Sequence, residues 1–179
     1  MPELTTARLH LRSFRDDDLD VFAALAANDG FMRFSGSGAI DRDRAAALLE
    51  RIMVRTRAGL PSQFAVYEKG ADQMLGYCGF FLQEVDEVEE IEIGYRLHPD
   101  VWGRGIATEA AQAVRDHAFR DLKLERVISL IHPDNHASER VALKNGMTRE
   151  KFTTFRGFPA NVYAISRSEW ERLPARAAR

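Results

Sequence analysis

The 179-residue chain is 45% hydrophobic and 29% charged, the balance of a folded globular protein, and its length suits one domain burying roughly 70% of its extended-chain surface. Its formal charge of −2, from 25 Lys+Arg against 27 Asp+Glu, offers no net attraction to nucleic acid or to an anionic membrane, so direct nucleic-acid binding is not expected. The single cysteine, Cys78, excludes an intrachain disulfide and, within the apolar run Met74 to Leu82, reads as a core thiol.

In chain order, Arg8-Leu9-His10-Leu11-Arg12 alternates and predicts a first strand. Asp16 is placed to cap a helix whose apolar stripe is Leu19, Phe22, Ala23 and Ala26, ending at Asn28-Asp29-Gly30. Phe31 to Gly38 is aromatic at one end and glycine-rich at the other, the make-up of a loop that either covers a cleft or is pinned by its aromatic side chains. Asp41 opens a helix through Leu48, Leu49, Ile52 and Met53, closed by Gly59 and Pro61. Gln63 to Glu68, Met74 to Val85 and the strand carrying Glu92, joined by turns at Lys69 to Asp72 and at Asp86-Glu87, predict an antiparallel meander.

Glu90 to Leu97 alternates strictly, with Ile91, Ile93, Tyr95 and Leu97 on one side and Glu90, Glu92, Gly94 and Arg96 on the other. His98-Pro99-Asp100 ends the strand, and Trp102-Gly103-Arg104-Gly105-Ile106-Ala107-Thr108 leads into a helix with Ala107, Ala110, Ala111, Val114 and Ala118 down one face. A strand feeding a glycine-containing loop that opens a helix is a place where main-chain N–H groups converge on an anion, and glycines let a ligand lie against the backbone. The loop lacks the Gly-Lys-Ser/Thr of a P-loop and the third glycine of a dinucleotide fingerprint, so spacing alone leaves an ordinary tight turn as the alternative.

Beyond this helix, Arg126 to Ile131 is a nearly continuous apolar strand, expected to lie parallel to the Glu92 strand through a right-handed crossover. Ser138 to Lys144 predicts a short helix stopped by Asn145-Gly146. Lys151 to Phe155 and Asn161 to Ile165 predict a hairpin around Arg156-Gly157-Phe158-Pro159, followed by a capped turn at Ser166 to Glu169. The expectation is a single α/β (α+β) domain over residues 1–173, with a mixed, largely antiparallel sheet and helices on both faces, and a flexible tail over 174–179. Met1 to Leu11 holds no charged leader followed by an apolar run, and no apolar segment is long enough for a bilayer, so cytoplasmic residence without membrane association is expected, as a monomer or homodimer.

Three motifs together resemble the GCN5-related N-acetyltransferase (GNAT) superfamily, and within it the branch of the ribosomal-protein-alanine N-terminal acetyltransferases. They are Glu92-Ile93-Gly94-Tyr95, the run Trp102-Gly103-Arg104-Gly105-Ile106-Ala107-Thr108-Glu109-Ala110, and Asn135-His136-Ala137-Ser138; the similarity runs from Thr6-Ala7-Arg8-Leu9 to Tyr163. The resemblance implies a sheet splayed between the strands of Glu92 and of Arg126 to Ile131, with acetyl-coenzyme A (acetyl-CoA) in the V-shaped gap. It implies main-chain contacts from Tyr95, Arg96 and Leu97, a pyrophosphate loop of Trp102, Gly103, Arg104, Gly105, Ile106, Ala107 and Thr108, and contacts from Asn135 and Ser138. Lys144 and Arg104 are candidate phosphate partners. Trp102 stands where the superfamily loop carries Gln or Arg, removing a polar side chain while leaving the backbone donors.

The implied activity is acetyl transfer to a primary amine, a protein N-terminal amine or a small-molecule amine, by direct attack on the thioester. The alternative is a non-catalytic CoA-binding regulatory protein. An ammonium must lose a proton before it attacks, which makes Glu92 the candidate base, with Glu90 second; an ion pair of Glu92 with Arg96 or a helix arginine is the structural alternative. A hydroxyl near the sulfur would ease departure of the thiolate, and Ser138 is the first candidate, with Tyr163 second. No metal is expected: of the five histidines, His132 and His136 are four apart but separated by Pro133, and no third ligand has motif spacing. Phe31 to Gly38, the Arg156 hairpin loop and the turn after Val85 are expected to rim the acceptor side. There Arg33 and Arg156 oppose a cationic acceptor, whereas Glu84, Asp86, Glu87, Glu89 and Glu90 would favour one.

Overall fold

A computed structural model describes residues 3–174 of the chain; 175–179 of the expected tail lie outside the described residues. Eight strands form one sheet: β1 (Leu4–Thr5), β2 (Leu9–Ser13), β3 (Gln63–Glu68), β4 (Met74–Val85), β5 (Val88–Leu97), β6 (Arg126–Ile131), β7 (Thr148–Phe155) and β8 (Phe158–Ser166). Their spatial order is β1-β2-β3-β4-β5-β6-β8-β7. Helices α1 (Leu19–Ala26), α2 (Asp29–Met32) and α3 (Arg42–Arg57) precede β3; α4 (Ile106–Arg120) connects β5 to β6, α5 (His136–Lys144) follows β6, and α6 (Arg167–Glu171) follows β8. The mixed sheet flanked by helices is the architecture the alternation and helical periodicities imply. No helix among the described residues is long and apolar enough to cross a membrane.

Two apolar layers cover the sheet. Ile93 and Leu97 of β5, Val127 and Ile131 of β6 and Tyr163 of β8 pack with Ala110, Ala111, Val114 and Ala118 of α4. On the opposite face Phe22 and Ala26 of α1 and Leu49 and Ile52 of α3 pack on Ala65, Tyr67 and Tyr77. Every neighbouring pair of strands is antiparallel except β5 and β6. β5 pairs with β4 over its full length, Gly76↔Leu97 to Val85↔Val88, but with β6 at one position, Glu92↔Ile128. The two central strands therefore part company beyond Glu92, beside the candidate site.

Several boundaries differ from the sequence expectation for local reasons. A short β1 adds an edge to β2 through Leu4↔Leu11. β5 begins at Val88 because the connection from β4 is a two-residue turn in which Asp86 and Glu87 take φ of 51° and 65°, the left-handed pair that suits hairpin twist. α5 begins at His136, since the Asn135 side chain caps it by accepting from the Ser138 N–H at 3.2 Å. The Phe31 to Gly38 segment is not one loop: Phe31 and Met32 are buried at the end of α2, and only Arg33 to Gly38 is open.

Candidate active site

Beyond Glu92 the edge of β5 that faces β6 has lost its ladder, and side chains take up the freed main-chain groups. The Ser129 hydroxyl donates to the Ile93 carbonyl at 2.7 Å, and the Trp102 indole N–H donates to the Leu97 carbonyl at 2.8 Å. Because main-chain groups alternate along a strand, those of Tyr95 lie on the same edge as those of Ile93 and Leu97 and point into the opening. Arg96, between them, is held by β4 at Tyr77.

Glu92 lies beside the point of divergence. Its carboxylate accepts from the Gln83 side-chain amide at 2.7 Å and, more weakly, from the Leu130 N–H of β6 at 3.4 Å. Burial pushes its pKa up; the two hydrogen bonds and the more distant charges of Arg96 and Arg156 pull the other way without cancelling that effect. Although part of the residue's surface remains accessible, the carboxyl group itself is enclosed. No Lys or Arg among the described residues forms an ion pair with it, so the structural alternative of a salt bridge to Arg96 does not occur. The ion pair belongs to Glu90, which receives Arg126 at 3.1 Å, and Arg126 also reaches Glu150 at 2.7 Å. Gly94 follows Glu92 on the same face and makes room for the Phe81 ring, which a Cβ there would approach to 2.9 Å.

Ser138 and Tyr95 are brought together on the opposite face of the sheet. The Tyr95 hydroxyl donates to Ser138 Oγ at 3.0 Å, and burial raises the Tyr95 pKa to about 12, which keeps the phenol neutral. With its lone pair engaged by Tyr95, Ser138 is left to donate its own proton elsewhere. Tyr163 is placed differently: it is 1% exposed beneath α5, and its hydroxyl donates to Glu139 at 2.7 Å. Glu92 and Ser138 thus stand on opposite sides of the sheet, connected through the opening between β5 and β6.

The loop from Trp102 to Gly105 brings a bare backbone to the same region. Gly103 and Gly105 take φ of 74° and 78°; a Cβ on Gly103 would meet nothing, and one on Gly105 would meet only the Arg8 guanidinium at 3.4 Å. Gly105 is the N-cap of α4, so no side chain occupies the first-turn donors of Ile106, Ala107 and Thr108. An unobstructed, uncapped helix N-terminus with a guanidinium beside it fits a pyrophosphate. Arg104 itself is engaged, pairing with Glu68 at 2.5 Å. Lys144 is exposed at the far end of α5, where its carbonyl accepts from Gln112 of α4 at 2.7 Å, away from the first-turn amides of α4. Trp102 is 50% exposed beside the loop.

Sequence reasoning missed three participants. Glu109 is 8% exposed and gathers Thr6 Oγ1 at 2.6 Å, the Arg8 N–H at 2.9 Å and Arg8 Nε at 2.7 Å, while Arg8 also donates to the Arg104 carbonyl at 2.9 Å. This clamp joins two motifs a hundred residues apart, which their spacing could not reveal. Gln83 was detectable as a polar residue on the Glu92 face of an apolar strand. The Tyr95 phenol was hidden because alternation places its ring on the apolar side without showing what its hydroxyl meets. Among the described residues no group of three or more His, Cys, Asp and Glu side chains is placed to hold a metal. A concavity of about 520 Å³ lies at the other edge of the sheet around Arg12, Asp18 and Tyr67 and shares no residue with the opening.

A sheet that opens between two central strands onto an uncapped helix N-terminus offers a cleft with main-chain donors at its mouth. Residues 8–148 match the acetyltransferase (GNAT) domain model, and the chain belongs to this family of acetyl-CoA-dependent acetyltransferases. It is 31% identical over 161 residues to YkkB, an uncharacterized protein of Bacillus subtilis (strain 168), covering 90% of this chain and 94% of that one. It is 30% identical to the uncharacterized N-acetyltransferase p20 of Bacillus licheniformis, over 84% of each chain. Among solved structures it is similar to a GNAT-family acetyltransferase from Bacillus anthracis, with a TM-score of 0.78 and 25% identity over 93% of this chain and 99% of that one.

Proposed function

We propose that the protein transfers the acetyl group of acetyl-CoA to a primary amine, a protein N-terminal amine or a small-molecule amine, by direct attack on the thioester. Acetyl-CoA is the co-substrate, entering from the α4 side with its pyrophosphate on the N–H groups from Gly103 to Thr108. The Tyr95 N–H in the opening is the donor for the acetyl oxygen. Glu92, enclosed and free of any cation partner, takes the proton from the incoming ammonium, directly or through water, and its raised pKa suits that task. As the C–N bond forms the nitrogen gives up its second proton to solvent, and as the C–S bond breaks Ser138 passes its proton to the departing thiolate and regains one from solvent, with Tyr95 holding the serine in place. Tyr163, turned toward Glu139, serves the packing of α5 in this scheme.

The observation that carries the reading is the pair of opposed groups, a buried carboxylate with no ion-pair partner among the described residues on one side of the sheet and a serine–tyrosine pair on the other, where β5 and β6 part. The motif resemblance to ribosomal-protein-alanine acetyltransferases supports a protein N-terminus as one acceptor class. The test is a screen of peptides with varied first residues, amino acids, polyamines and aminoglycosides against saturating acetyl-CoA, reading free thiol. Amine-dependent thiol release is expected; cofactor binding by calorimetry without release on any amine would refute catalysis and leave a CoA-binding protein.

A further inference from the structure

We infer that the acceptor is a primary amine that also carries a carboxylate, and that Arg96 and Arg156 recognise that carboxylate beside Glu92. This inference rests on the acetyl-transfer reading and specifies its substrate.

Arg96 lies on the same face of β5 as Glu92, four residues further along and on the α1–α3 side of the sheet, where its guanidinium lies 5.7 Å from the centroid of the buried Tyr77 ring and donates to the Tyr77 hydroxyl. Arg156, at the turn of the β7–β8 hairpin, donates to Gln83 Oε1 at 3.1 Å, and the amide of the same Gln83 donates to Glu92. The hairpin is thereby tied to the candidate base through one side chain. Its amide orientation is fixed at both ends, because a guanidinium only donates and a carboxylate only accepts. Arg33 stands at the outer rim, 5.3 Å from the centroid of Phe34, which itself lies 6.1 Å from His132 at the end of β6. Phe158 closes the rim from the hairpin, within 3.0 Å of where a Cβ on Gly36 would sit.

None of these three arginines has a carboxylate within ion-pair distance among the described residues, whereas Arg8, Arg12 and Arg126 are each paired with one. Arg96 and Arg156 therefore present guanidinium groups not committed to a protein carboxylate on the side of the sheet where the amine must approach Glu92. A guanidinium presents a planar fork that matches a carboxylate.

The acidic run that could have drawn a cationic acceptor is largely committed elsewhere. Asp86 binds Lys151 at 2.6 Å and Thr153 at 2.6 Å, and Glu90 binds Arg126 at 3.1 Å. Glu84 and Glu89 pair across β4 and β5 at a register that turns both away from the Glu92 face. What faces the approaching amine is one carboxylate flanked by free guanidinium groups, an arrangement that accommodates an ammonium at Glu92 and an anion a few atoms away.

The experiment uses matched acceptors: α-amino acids with their carboxamides and decarboxylated amines, and short peptides with Asp, Asn or Lys following the first residue. The amino-acid and peptide arms distinguish a free small molecule from an acidic chain terminus as the source of the carboxylate. Carboxylate-bearing acceptors should exceed their neutral counterparts in kcat/KM by about tenfold or more, the low end of what a charge-assisted hydrogen bond is worth. Arg156→Glu should reverse the preference toward the Lys peptide, Arg96→Met should bring the ratio toward one mainly through KM, and Arg96→Lys should restore part of it. Thermal unfolding of each variant guards against loss of fold. Turnover that is equal for matched acceptors, or a ratio unchanged in folded Arg156→Glu and Arg96→Met, overturns the inference and leaves acetyl transfer standing. Thiol release on no amine, with acetyl-CoA bound, overturns both.

Discussion

Replacing Glu109 by alanine should destabilise the protein by about 3 kcal/mol. The carboxylate receives Thr6 Oγ1 at 2.6 Å, the Arg8 N–H at 2.9 Å, and the Arg8 guanidinium at 2.7 Å. A hydrogen bond to a charged group contributes about 1.5–3 kcal/mol, but bonds sharing one carboxylate do not add, so the sum is well below three times that value. The Arg8 side chain is 48% exposed and is rehydrated when its partner is lost, a further discount, while the Glu109 side chain is only 11% exposed. For a chain of this length, 3 kcal/mol corresponds to a melting-temperature drop of roughly 6 to 12 °C. The acid dependence has a definite sign. Burial alone would raise the Glu109 pKa, but the hydrogen bonds from Thr6 and Arg8 outweigh it and hold the group below its usual 4.5. Its stabilisation is therefore complete above about pH 4.5 and is lost as pH falls through the lower folded value. Calorimetric melting of the parent, Glu109→Ala and Glu109→Gln across the acid range measures both effects, and the glutamine variant should lose that part of the acid slope. A Glu109→Ala protein melting within about 2 °C of the parent would refute the clamp as a structural element.

Three further outcomes bear on chemistry. Glu92→Gln should keep acetyl-CoA affinity near normal and lower turnover by roughly 10², and the parent's kcat/KM should fall as pH drops through a Glu92 pKa that burial has raised; near-normal turnover of the variant across the pH range would remove Glu92 from the mechanism. Gly105→Val forces a β-branched residue to a φ of 78° at the mouth of α4 and should abolish acetyl-CoA binding in a folded chain, so unchanged affinity by calorimetry would displace the pyrophosphate from this loop. Ser138→Ala and Tyr95→Phe should each slow thiol release by about tenfold or more, and the double variant should be little worse than either alone; independent, multiplying losses would mean that the two hydroxyls do not act as one donor.

The strands and long helices were legible in the sequence because their periodicities are local. Met74 to Val85 and Arg126 to Ile131 begin and end where apolar runs meet turn residues, and the helix opened by Asp41 is capped by that side chain at 2.9 Å from the Arg44 N–H. What stayed hidden depends on contacts between distant elements. Nothing in the run from Val88 to Leu97 says that its ladder with β6 stops after Glu92, since alternation describes faces and not edges. Glu90 and Glu92 share one face and one residue type, yet Arg126 of β6 pairs with the first and leaves the second free, a difference set by tertiary register alone. The same holds for Tyr163, whose hydroxyl partner, Glu139 of α5, is not apparent from its place on the last strand.

The opening in the sheet also has to be stable before any ligand enters it, and the way it is kept open bears on how it works. Parting two central strands leaves main-chain donors and acceptors without ladder partners, each costly if buried and unmet. Here the Ile93 carbonyl is met by Ser129, the Leu97 carbonyl by Trp102, and the Leu130 N–H, at longer range, by Glu92. The indole in the place of the superfamily's Gln or Arg therefore satisfies the far end of the opening. Glu92 has a double engagement: the carboxylate proposed as the base also satisfies the β6 strand, and its 3.4 Å bond to Leu130 is the weaker of its two. The Gln83 bond at 2.7 Å, with Gln83 itself held by Arg156, fixes the side chain in position. A carboxylate held by one short, tethered contact and one long contact is thus fixed at the edge of the opening that its own strand creates, which is what the proposed base requires.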